Sequence, residues 1–564
     1  SWVFCFSIGR SALLQGNRAI KKSVSPIMAK LLRSLREFYF NTPFYDWRLR
    51  KFASREINIS ISDLWPGEPE VGREIIDGKI VGIVASSHKQ LWKKIPDDPL
   101  SIESLHGFSW LRHLRAQGGE AARLTARQMV GSWLDECEKW HSLYWRGDVL
   151  GERISAWIGM YDFFCGSAND EFRSRVLESV HRQLEHGISD FHYTDIGIKR
   201  IRAIKGLITA LVAFNLSLDR IALLERWLLK ELIVQINPDG GHVSRSPAIH
   251  IEFVMALIDI RNCFRASNRD IPNELTEKIA SMAAMLRLWR HGDGKLALFH
   301  GSKEGGVSLF EAVIALSESR RKTVTDAPAT GFQRLSAGKS TLIVDTGITE
   351  DNGLSSHASP LSFELSIGKQ RLVVNCGTSP GDTALKEPLK SSVAHSMLTI
   401  DNINASHIAI TTARVPQAIT VSFNRETVDG DILLDGSHNG YLPNMGIMHH
   451  RSFYLASSGN DIRGEDQLIY TGEPGDLPLN AIIRFHLHPR VRTSLIQRGS
   501  SALLRPHSGN VWRFRTDGNL KLEDSIYFGS ALRQKSEQLV VDKCLEGIRD
   551  EGKIIVKWAF RRED

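Results

Sequence analysis

The pattern of apolar and polar positions divides the chain into two parts of different character. Between residues 105 and 320, apolar residues recur at helical spacing in successive segments, and the breaks between them carry Gly, Asp, Asn or Pro. From residue 332 onward the segments become short, β-branched and alternating, with Gly, Asn and Asp between them. Helices of similar length joined by short loops predict an all-α array, and many short strands predict a β-sandwich. The change of texture near residues 322–330 predicts a domain boundary.

The first hundred residues predict two smaller segments. Residues 1–54 form a basic extension with one amphipathic helix, because Leu31, Leu35 and Phe38 recur at helical spacing among basic residues. We expect this helix to pack on the body of the protein, and a membrane-surface helix is the alternative. Residues 55–100 alternate in places, notably at 57–61 and 78–84, and predict a small strand-containing leader. The main domains are then expected at 101–325 and 326–564.

Composition and charge narrow the function classes. Hydrophobic residues make up 42% of the chain and charged residues 24%, which is typical of a soluble globular protein. The net charge of +7 suits an acidic partner. No apolar run reaches about 18 residues, so no membrane span is predicted. The six cysteines are scattered without a CxxC pair, and no zinc-finger or RNA-recognition signature is present, so neither a zinc ribbon nor nucleic-acid binding is predicted.

The N-terminus does not have the order of a signal peptide. Residues 1–8 are apolar, but the basic residues follow them, whereas a signal peptide has them in front. We therefore expect the residues before Met28, the first Met, to be an upstream extension, and the remnant of an incomplete targeting segment is the alternative. The sequence by itself leaves a cytoplasmic location open.

Two histidines beside strand-like segments are the best lead to chemistry. His357 lies at the mouth of a strand-like run that ends at Leu365, and a turn at Gly368-Lys369 separates this run from the strand-like run 371–374. His395 lies in the segment Val393-Ala394-His395-Ser396-Met397-Leu398.

Further motifs accompany the two histidines. They are His438-Asn439-Gly440-Tyr441, His450-Arg451, and the loop Pro238-Asp239-Gly240-Gly241-His242-Val243-Ser244-Arg245-Ser246-Pro247. Together these segments resemble the heparinase II/III-like polysaccharide lyase family over most of the chain after about residue 55. His357-Ala358 followed by Leu361-Ser362-Phe363 is similar to the family's His-Ala-Asp-x-Leu-Ser-Phe strand, and the 238–247 loop is similar to the loop that introduces its catalytic helix.

The resemblance implies a fold, a reaction and a location. The fold is an incomplete (α/α) toroid followed by an antiparallel β-sandwich, with the cleft between them. The reaction is β-elimination of an acidic, uronate-containing glycan, and the location is the cell envelope or periplasm. Such a reaction needs a group that neutralises the substrate carboxylate and a base that removes the adjacent proton. The implied catalytic residues are His357, His395, Tyr441 and His250, and the implied substrate-binding residues are His242, Arg245, Lys199, Arg202 and Arg451.

Departures from the family pattern bear on the chemistry. The Tyr expected after Ser246-Pro247 is absent, and His250 is the nearest substitute. The Asn-His pair expected on an earlier helix is absent from residues 195–202. Ser359 and Asn375 occupy positions where the family has aspartates, so no metal or other cofactor is predicted.

Three functions therefore remain open at the level of sequence. They are an acidic-glycan lyase, a catalytically degenerate glycan-binding or envelope protein, and a related enzyme that uses a His base on a bacterial surface glycan. Each candidate residue also has a structural interpretation. His357 and His395 could be satisfied strand histidines, His250 and Tyr441 could be core residues, and the basic cluster at 199–202 could be a solvated face. Oligomeric state and glycan identity are not encoded in any recognisable pattern.

Overall fold

The computed structural model describes residues 26–50, 56–80, 83–84, 91–92, 99–347, 356–379, 382–405, 419–472, 480–530 and 532–563. The chain divides into two compact units. The first comprises residues up to 236 together with 253–279, and the second comprises residues 237–252 together with 280–564. Residues 1–25, including the apolar start, lie outside the described residues.

The first unit is helical. Its helices, with two that continue into the second unit, are Pro26–Phe40, Pro43–Arg50, Pro69–Ile76, Pro99–Gly107, Leu111–Gln117, Gly119–Cys137, Gly147–Gly159, Tyr161–Cys165, Asp170–Asp190, Ile198–Ala213, Leu218–Gln235, Pro247–Ala266 and Asn273–Leu286. Helices Gly147–Gly159 and Ile198–Ala213 approach most closely at two glycines, since a Cβ on Gly206 would lie 2.3 Å from the carbonyl oxygen of Gly151. Small residues at this crossing let the two backbones touch, and the second helix is buried around most of its circumference.

The N-terminal helix differs from the expected packing. Leu35 and Phe38 are 56% and 75% exposed, so the apolar stripe does not pack on the rest of the chain. The chain turns at Asn41-Thr42, and Phe40 and Tyr45 pack against Trp145 instead. The expected packing is therefore wrong for this stripe and holds for the residues around the turn.

The leader region contains a small hairpin but no strand at 57–61. Strands β1 (Lys79–Ile80) and β2 (Ile83–Val84) pair in antiparallel fashion. The backbone N–H groups of Asn58 and Ile59 both donate to the carbonyl of Ala213, at the end of a helix. The alternating segment thus satisfies an orphan helix carbonyl rather than a strand ladder.

The second unit is built mainly of antiparallel strands. They are β3 (Asp326–Ala327), β4 (Phe332–Ala337), β5 (Ser340–Asp345), β6 (Phe363–Ile367), β7 (Gln370–Val374), β8 (Leu398–Ile400), β9 (Val421–Val428), β10 (Asp431–His438), β11 (Ile447–Leu455), β12 (Asp461–Tyr470), β13 (Asn480–Leu487), β14 (Arg492–Ile496), β15 (Ser501–Arg505), β16 (Trp512–Thr516), β17 (Asn519–Tyr527), β18 (Gln534–Cys544) and β19 (Lys553–Arg562). The helix Val307–Ser317 and the short helices Thr383–Lys386, Leu442–Met445 and Ile548–Glu551 complete the unit.

These strands form two large sheets with a common core. The 9-stranded sheet has the order β17-β18-β13-β7-β6-β5-β4-β3, with β8 paired to β13, and the 8-stranded sheet has the order β14-β15-β16-β19-β12-β11-β10-β9. Phe363 of the first and Trp558 of the second stack with ring centroids 5.5 Å apart. The predicted turn at Gly368-Lys369 is confirmed, since Ile367 pairs with Gln370 across it. The predicted change from a helix-rich N-terminal region to an antiparallel β region is also confirmed.

Candidate active site

The candidate site lies in loops at strand ends of the second unit. His357 and Ser359 immediately precede β6, Asp345 ends β5, and His395 lies before β8. His300 comes from the loop that follows the 3₁₀ helix Arg287–Trp289. Each of these five side chains is at least 97% buried.

The hydrogen bonds of His395 and His357 determine which ring nitrogens carry protons. His395 Nδ1 lies 2.8 Å from the carbonyl oxygen of Ser391, which can only accept, so this nitrogen is the donor. In the neutral ring, His395 Nε2 is then the acceptor, and His357 Nδ1 donates to it over 3.0 Å. The remaining nitrogen, His357 Nε2, therefore carries a lone pair. Among the described residues it has no hydrogen-bond partner.

Burial keeps this pair neutral. It holds the pKa of His357 well below its usual range, with the neighbouring cationic forms of His395, His300 and Lys390 acting in the same direction. Burial also lowers the pKa of His395 to about 4, although its bond to Ser391 opposes the shift. Both imidazoles are thus free bases at neutral pH.

A second set of bonds ties this pair to Arg245. The backbone N–H of His357 donates to His300 Nδ1 over 3.3 Å, so His300 donates from Nε2 to Asp345 Oδ2 over 3.0 Å. Asp345 also accepts from Ser359 Oγ at 3.1 Å and forms an ion pair with Arg245. Burial opposes ionisation of Asp345, but Arg245 and His300 overcome it and hold the pKa of the carboxyl at about 2. We call His395, His357, His300, Asp345 and Arg245 the histidine chain.

The backbone around the histidine chain is unusual. His300, Arg245 and Leu361 have φ values of 46°, 60° and 59°, in the left-handed region that non-glycine residues rarely occupy. Such residues cost free energy and cluster at functional sites. Gly240, in the loop before Arg245, has φ 88°, and a Cβ there would lie 2.6 Å from the carbonyl oxygen of Ser281. Only glycine at position 240 therefore lets the loop pack against the backbone at Ser281.

Asn375 adds an unusual polar group. Its Oδ1 accepts from the backbone N–H of Ser396 at 3.0 Å, which places the amide beside the residue that follows His395. Its Nδ2 is buried, and no described residue accepts a hydrogen bond from it. A buried donor without a partner costs free energy of folding, and such groups are often found where a protein has a function.

His242 and His250 bond to each other. The backbone N–H of His242 donates to His250 Nδ1 at 3.2 Å, and His250 Nε2 donates to the carbonyl of Met282 at 2.8 Å. His250 is fully buried, and burial lowers its pKa to about 4. The His242 ring binds Ser244 at 2.8 Å. For His250 this geometry favours the structural interpretation.

Tyr441 and Arg451 belong to another buried cluster. Arg451 donates from Nε and Nη2 to Asp466 at 2.7 and 3.1 Å, and the same carboxylate accepts from His449 and Trp558. Tyr441 is 1% exposed and donates to the carbonyl of Leu398 at 3.3 Å; burial raises the pKa of its phenol. The contacts of Arg451 with Asp466 lie within the 8-stranded sheet, whereas the Tyr441 contact reaches β8 of the 9-stranded sheet. Both side chains are buried.

Lys199 and Arg202 lie in the first unit, on the helix Ile198–Ala213. Lys199 donates to Asp195 at 3.3 Å, and Arg202 donates to Glu103 at 3.0 Å. Both charges are therefore balanced locally. Their role in binding a glycan stays a prediction.

Sequence reasoning overlooked His300 and Asp345. Asp345 directly follows the apolar run 341–344, and an acid at the end of a buried strand was the available signal. His300 stands before Gly301 in a short loop and has no distinguishing pattern.

The described residues contain neither a cluster suited to a metal ion nor a membrane-spanning helix. No group of three or more His, Cys, Asp or Glu side chains is arranged to hold a metal ion within the ranges given above. No helix within those ranges is long and apolar enough to cross a membrane.

Comparison with known proteins agrees with the resemblance drawn from the sequence. Residues 319–559 match the model of the heparinase II/III-like C-terminal domain. The structure matches Heparinase III with a TM-score of 0.69 and 14% identity, covering 92% of this chain and 88% of that one. It matches a mutant of heparan sulfate lyase HepC from Pedobacter heparinus with a TM-score of 0.61 and 16% identity, covering 92% and 87%. The fold is thus that of these solved lyases, and residues 319–559 are similar to the heparinase II/III-like C-terminal domain.

A relative of known sequence is named for its location and not for a lyase activity. FtsZ-localized protein C of Caulobacter vibrioides (strain NA1000 / CB15N) is 27% identical over 479 residues, which covers 82% of each chain. The identities to the solved lyases are lower and show the fold alone.

Proposed function

We propose that this chain is a polysaccharide lyase-like protein that removes a proton from an acidic, uronate-containing glycan, with His357 Nε2 as the general base. The observation that carries the proposal is the direction of the hydrogen bonds from His395 to His357, which leaves an unprotonated nitrogen without a protein partner among the described residues. A free base held neutral at neutral pH is the group that β-elimination requires.

The reaction can be written with the residues present. His357 Nε2 takes the proton from the carbon next to the uronate carboxylate. The electron pair of that C–H bond forms a double bond, and the glycosidic oxygen at the β position leaves with its own bonding pair. The protonated His357 then returns the proton to this oxygen, so one group serves as base and acid. No tyrosine is needed in this scheme.

The negative charge that develops on the carboxylate needs a donor. Arg245 and Arg451 are poor candidates, because Asp345 and Asp466 already neutralise them. We assign this role to the Asn375 amide, whose Nδ2 is unsatisfied. His395, His300 and Asp345 are positioning residues that fix the tautomer and orientation of His357.

The wider assignment follows the family. We propose that the helical region forms the incomplete (α/α) toroid and the two sheets the β-sandwich, with domains at 1–54, 55–100, 101–325 and 326–564. The proposed partner is an acidic polysaccharide, and the proposed location is the cell envelope or periplasm.

The direct test is incubation with a panel of polyuronates and with isolated bacterial surface polysaccharide, followed by the ultraviolet absorbance of the unsaturated product. We expect product from at least one glycan, its loss in His357→Gln, and a large decrease in His395→Gln. The matched control is His507→Gln, because His507 is an exposed histidine outside the histidine chain. Absence of product on every glycan, from folded protein, contradicts the proposal.

A second function is favoured by specific observations. His357 and His395 are only 3% and 2% exposed, and two of the three arginines predicted to bind substrate, Arg245 and Arg451, are paired with aspartates. The relative with 27% identity is named for localisation with FtsZ, not for a reaction. The second candidate is therefore a catalytically degenerate glycan-binding or envelope protein that localises with FtsZ. Glycan binding without product, together with co-localisation of a fluorescent fusion with FtsZ, would support it over the lyase.

A further inference from the structure

One end of the 8-stranded sheet is strongly basic. The four adjacent strands β14, β15, β16 and β19 contain no Asp or Glu. Their basic residues are Arg492, Arg505, Arg513, Arg515, Lys553, Lys557, Arg561 and Arg562. Arg513 pairs with Glu563, just after β19, and Lys557 lies near Glu465. The remaining like charges on these neighbouring strands repel one another, and an anionic partner would relieve the repulsion.

Most of these cations point away from the core. In β16 the residues Trp512 and Phe514 are buried in the core, so Arg513 and Arg515 face outward. In β19 the buried residues alternate in the same way, so Lys557 and Arg561 face outward. The charges therefore share the solvent side of the sheet, opposite to the side that packs against the 9-stranded sheet.

A groove of about 530 Å³ crosses this face. Its polar lining includes Arg463, Glu465, Arg515, Asp517 and Lys557, and we call it the basic groove. The centre of the groove is formed by the small side chain of Ala559, which pairs with Arg515 on one neighbouring strand and with Arg463 on the other. Adjacent strands lie about 4.8 Å apart, so the two arginines stand roughly 10 Å apart across this small residue.

The cations of the basic groove differ in how they are held. Arg463 donates to Asp461 at 2.6 Å and lies 5.3 Å from the centre of the Tyr454 ring, so its charge already has a partner. Lys557 lies 3.6 Å from Glu465 and is 66% exposed, so it is held loosely. Arg515 is exposed and makes no ion pair with any described residue. Two of the three cations are thus available to a ligand.

We propose that the basic groove is an accessory binding surface for a carboxylate-bearing glycan chain, separate from the histidine chain. The choice of glycan rests on the proposed function, and the anionic character of the ligand rests on the groove itself. Arg515 and Lys557 bind the carboxylates of successive sugar units. Glu465 and Asp517 accept hydrogen bonds from the sugar hydroxyls.

The mixed lining favours a glycan over an anionic lipid surface. A lipid surface offers negative charge without a matching need for carboxylate acceptors, and a flat bilayer does not fill a groove. A uronate chain carries both carboxylates and hydroxyls, which match the cations and the acceptors.

The test measures binding of a fluorescein-labelled oligogalacturonate to the full chain by anisotropy. The protein carries His357→Gln, so that turnover does not consume the ligand. We expect Arg515→Ala/Lys557→Ala to weaken binding about tenfold, with a weaker salt dependence. Lys535→Ala is the matched control, because Lys535 is a 77% exposed lysine on the other sheet, and it leaves binding within about twofold. Labelled dextran, which is uncharged, does not bind.

Two results would overturn the proposal. One is oligogalacturonate binding that the double variant leaves unchanged. The other is strong binding of the protein to vesicles of phosphatidylglycerol and phosphatidylcholine, if the double variant abolishes this vesicle binding and every variant binds oligogalacturonate only weakly. A chain that makes no unsaturated product but binds through the groove leaves this proposal standing and rejects only the lyase function.

Discussion

Replacement of Asp345 by Asn tests whether the histidine chain is a single buried unit. The Asp345 side chain is fully buried and accepts from His300 Nε2, Ser359 Oγ, Arg245 and the backbone N–H of Gly347. An Asn side chain is nearly identical in shape, but it has one acceptor oxygen and an NH₂ group that would face donors. The substitution therefore removes a charge and leaves Arg245 buried without its carboxylate.

Two routes give a similar cost. The pKa of Asp345 falls from 3.8 to about 2. At about 1.4 kcal/mol per unit, this shift favours the folded carboxylate by roughly 2.5 kcal/mol. Breaking a buried ion pair by removal of one partner typically costs about 3–5 kcal/mol. We predict that Asp345→Asn lowers the free energy of unfolding of this region by about 3 kcal/mol.

Hydrogen exchange followed by mass spectrometry suits this prediction, because a chain of two units need not unfold in one step. The peptides to follow cover residues 340–347 and 357–363, read at increasing urea concentrations. The matched control is Asp524→Asn, which removes a carboxylate that is 79% exposed. A loss below about 1 kcal/mol in Asp345→Asn, equal to that of the control, would refute the reasoning.

The pH dependence gives a second check on the sign. The folded pKa of Asp345 lies below its unfolded value, so the stabilisation is present above pH 3.8 and is lost as the pH falls toward 2. The difference in free energy of unfolding between the wild type and Asp345→Asn should therefore become smaller as the pH falls from 3.8 toward 2. A difference that widens on acidification would contradict the account.

Three further predictions concern the core. Gly464→Val should destabilise the second unit by about 3 kcal/mol or more, since a Cβ there would lie 2.0 Å from the Trp558 ring; a thermal midpoint within a degree or two of the wild type would contradict this. Arg451→Met should lower the free energy of unfolding in urea by about 3–5 kcal/mol, because Asp466 is left unpaired. The double variant Arg451→Met/Asp466→Leu should recover part of this free energy, and equal losses in the two variants would argue against the ion pair. The pKa of His250 in the folded state is about 4, below its unfolded value, so its contribution to the free energy of unfolding is present above pH 6.5 and declines toward pH 4. In His250→Leu the free energy of unfolding should therefore depend less steeply on pH between 6.5 and 4. An unchanged slope would count against a buried neutral ring.

The order of elements was readable from the sequence because it depends on local periodicity. The helical spacing before residue 320 and the alternation after residue 332 appear as helices and antiparallel strands, and the Gly368-Lys369 turn is where it was expected. Residues 57–61 misled because their alternation has the period of a strand, whereas their N–H groups bond to the end of a helix. A local pattern cannot reveal a partner that lies more than 150 positions away.

The candidate site was only partly readable for the same reason. His357 and His395 stand in recognisable motifs, and the structure brings their rings into contact. His300 and Asp345 join them through bonds that span 57 and 45 positions, which no spacing rule anticipates. Arg245 resembles a free cation in the sequence, but the fold places it on a buried aspartate.

Nitrogen NMR of the His357 ring gives the sharpest test of whether this residue is a free base. The full chain is labelled with ¹⁵N-histidine, and the His357 signals are assigned as those that disappear in His357→Gln. The account predicts a neutral ring at neutral pH, protonated at Nδ1 and unprotonated at Nε2. A ring protonated at Nε2, or a cationic ring at neutral pH, would contradict the assignment of His357 as a free base.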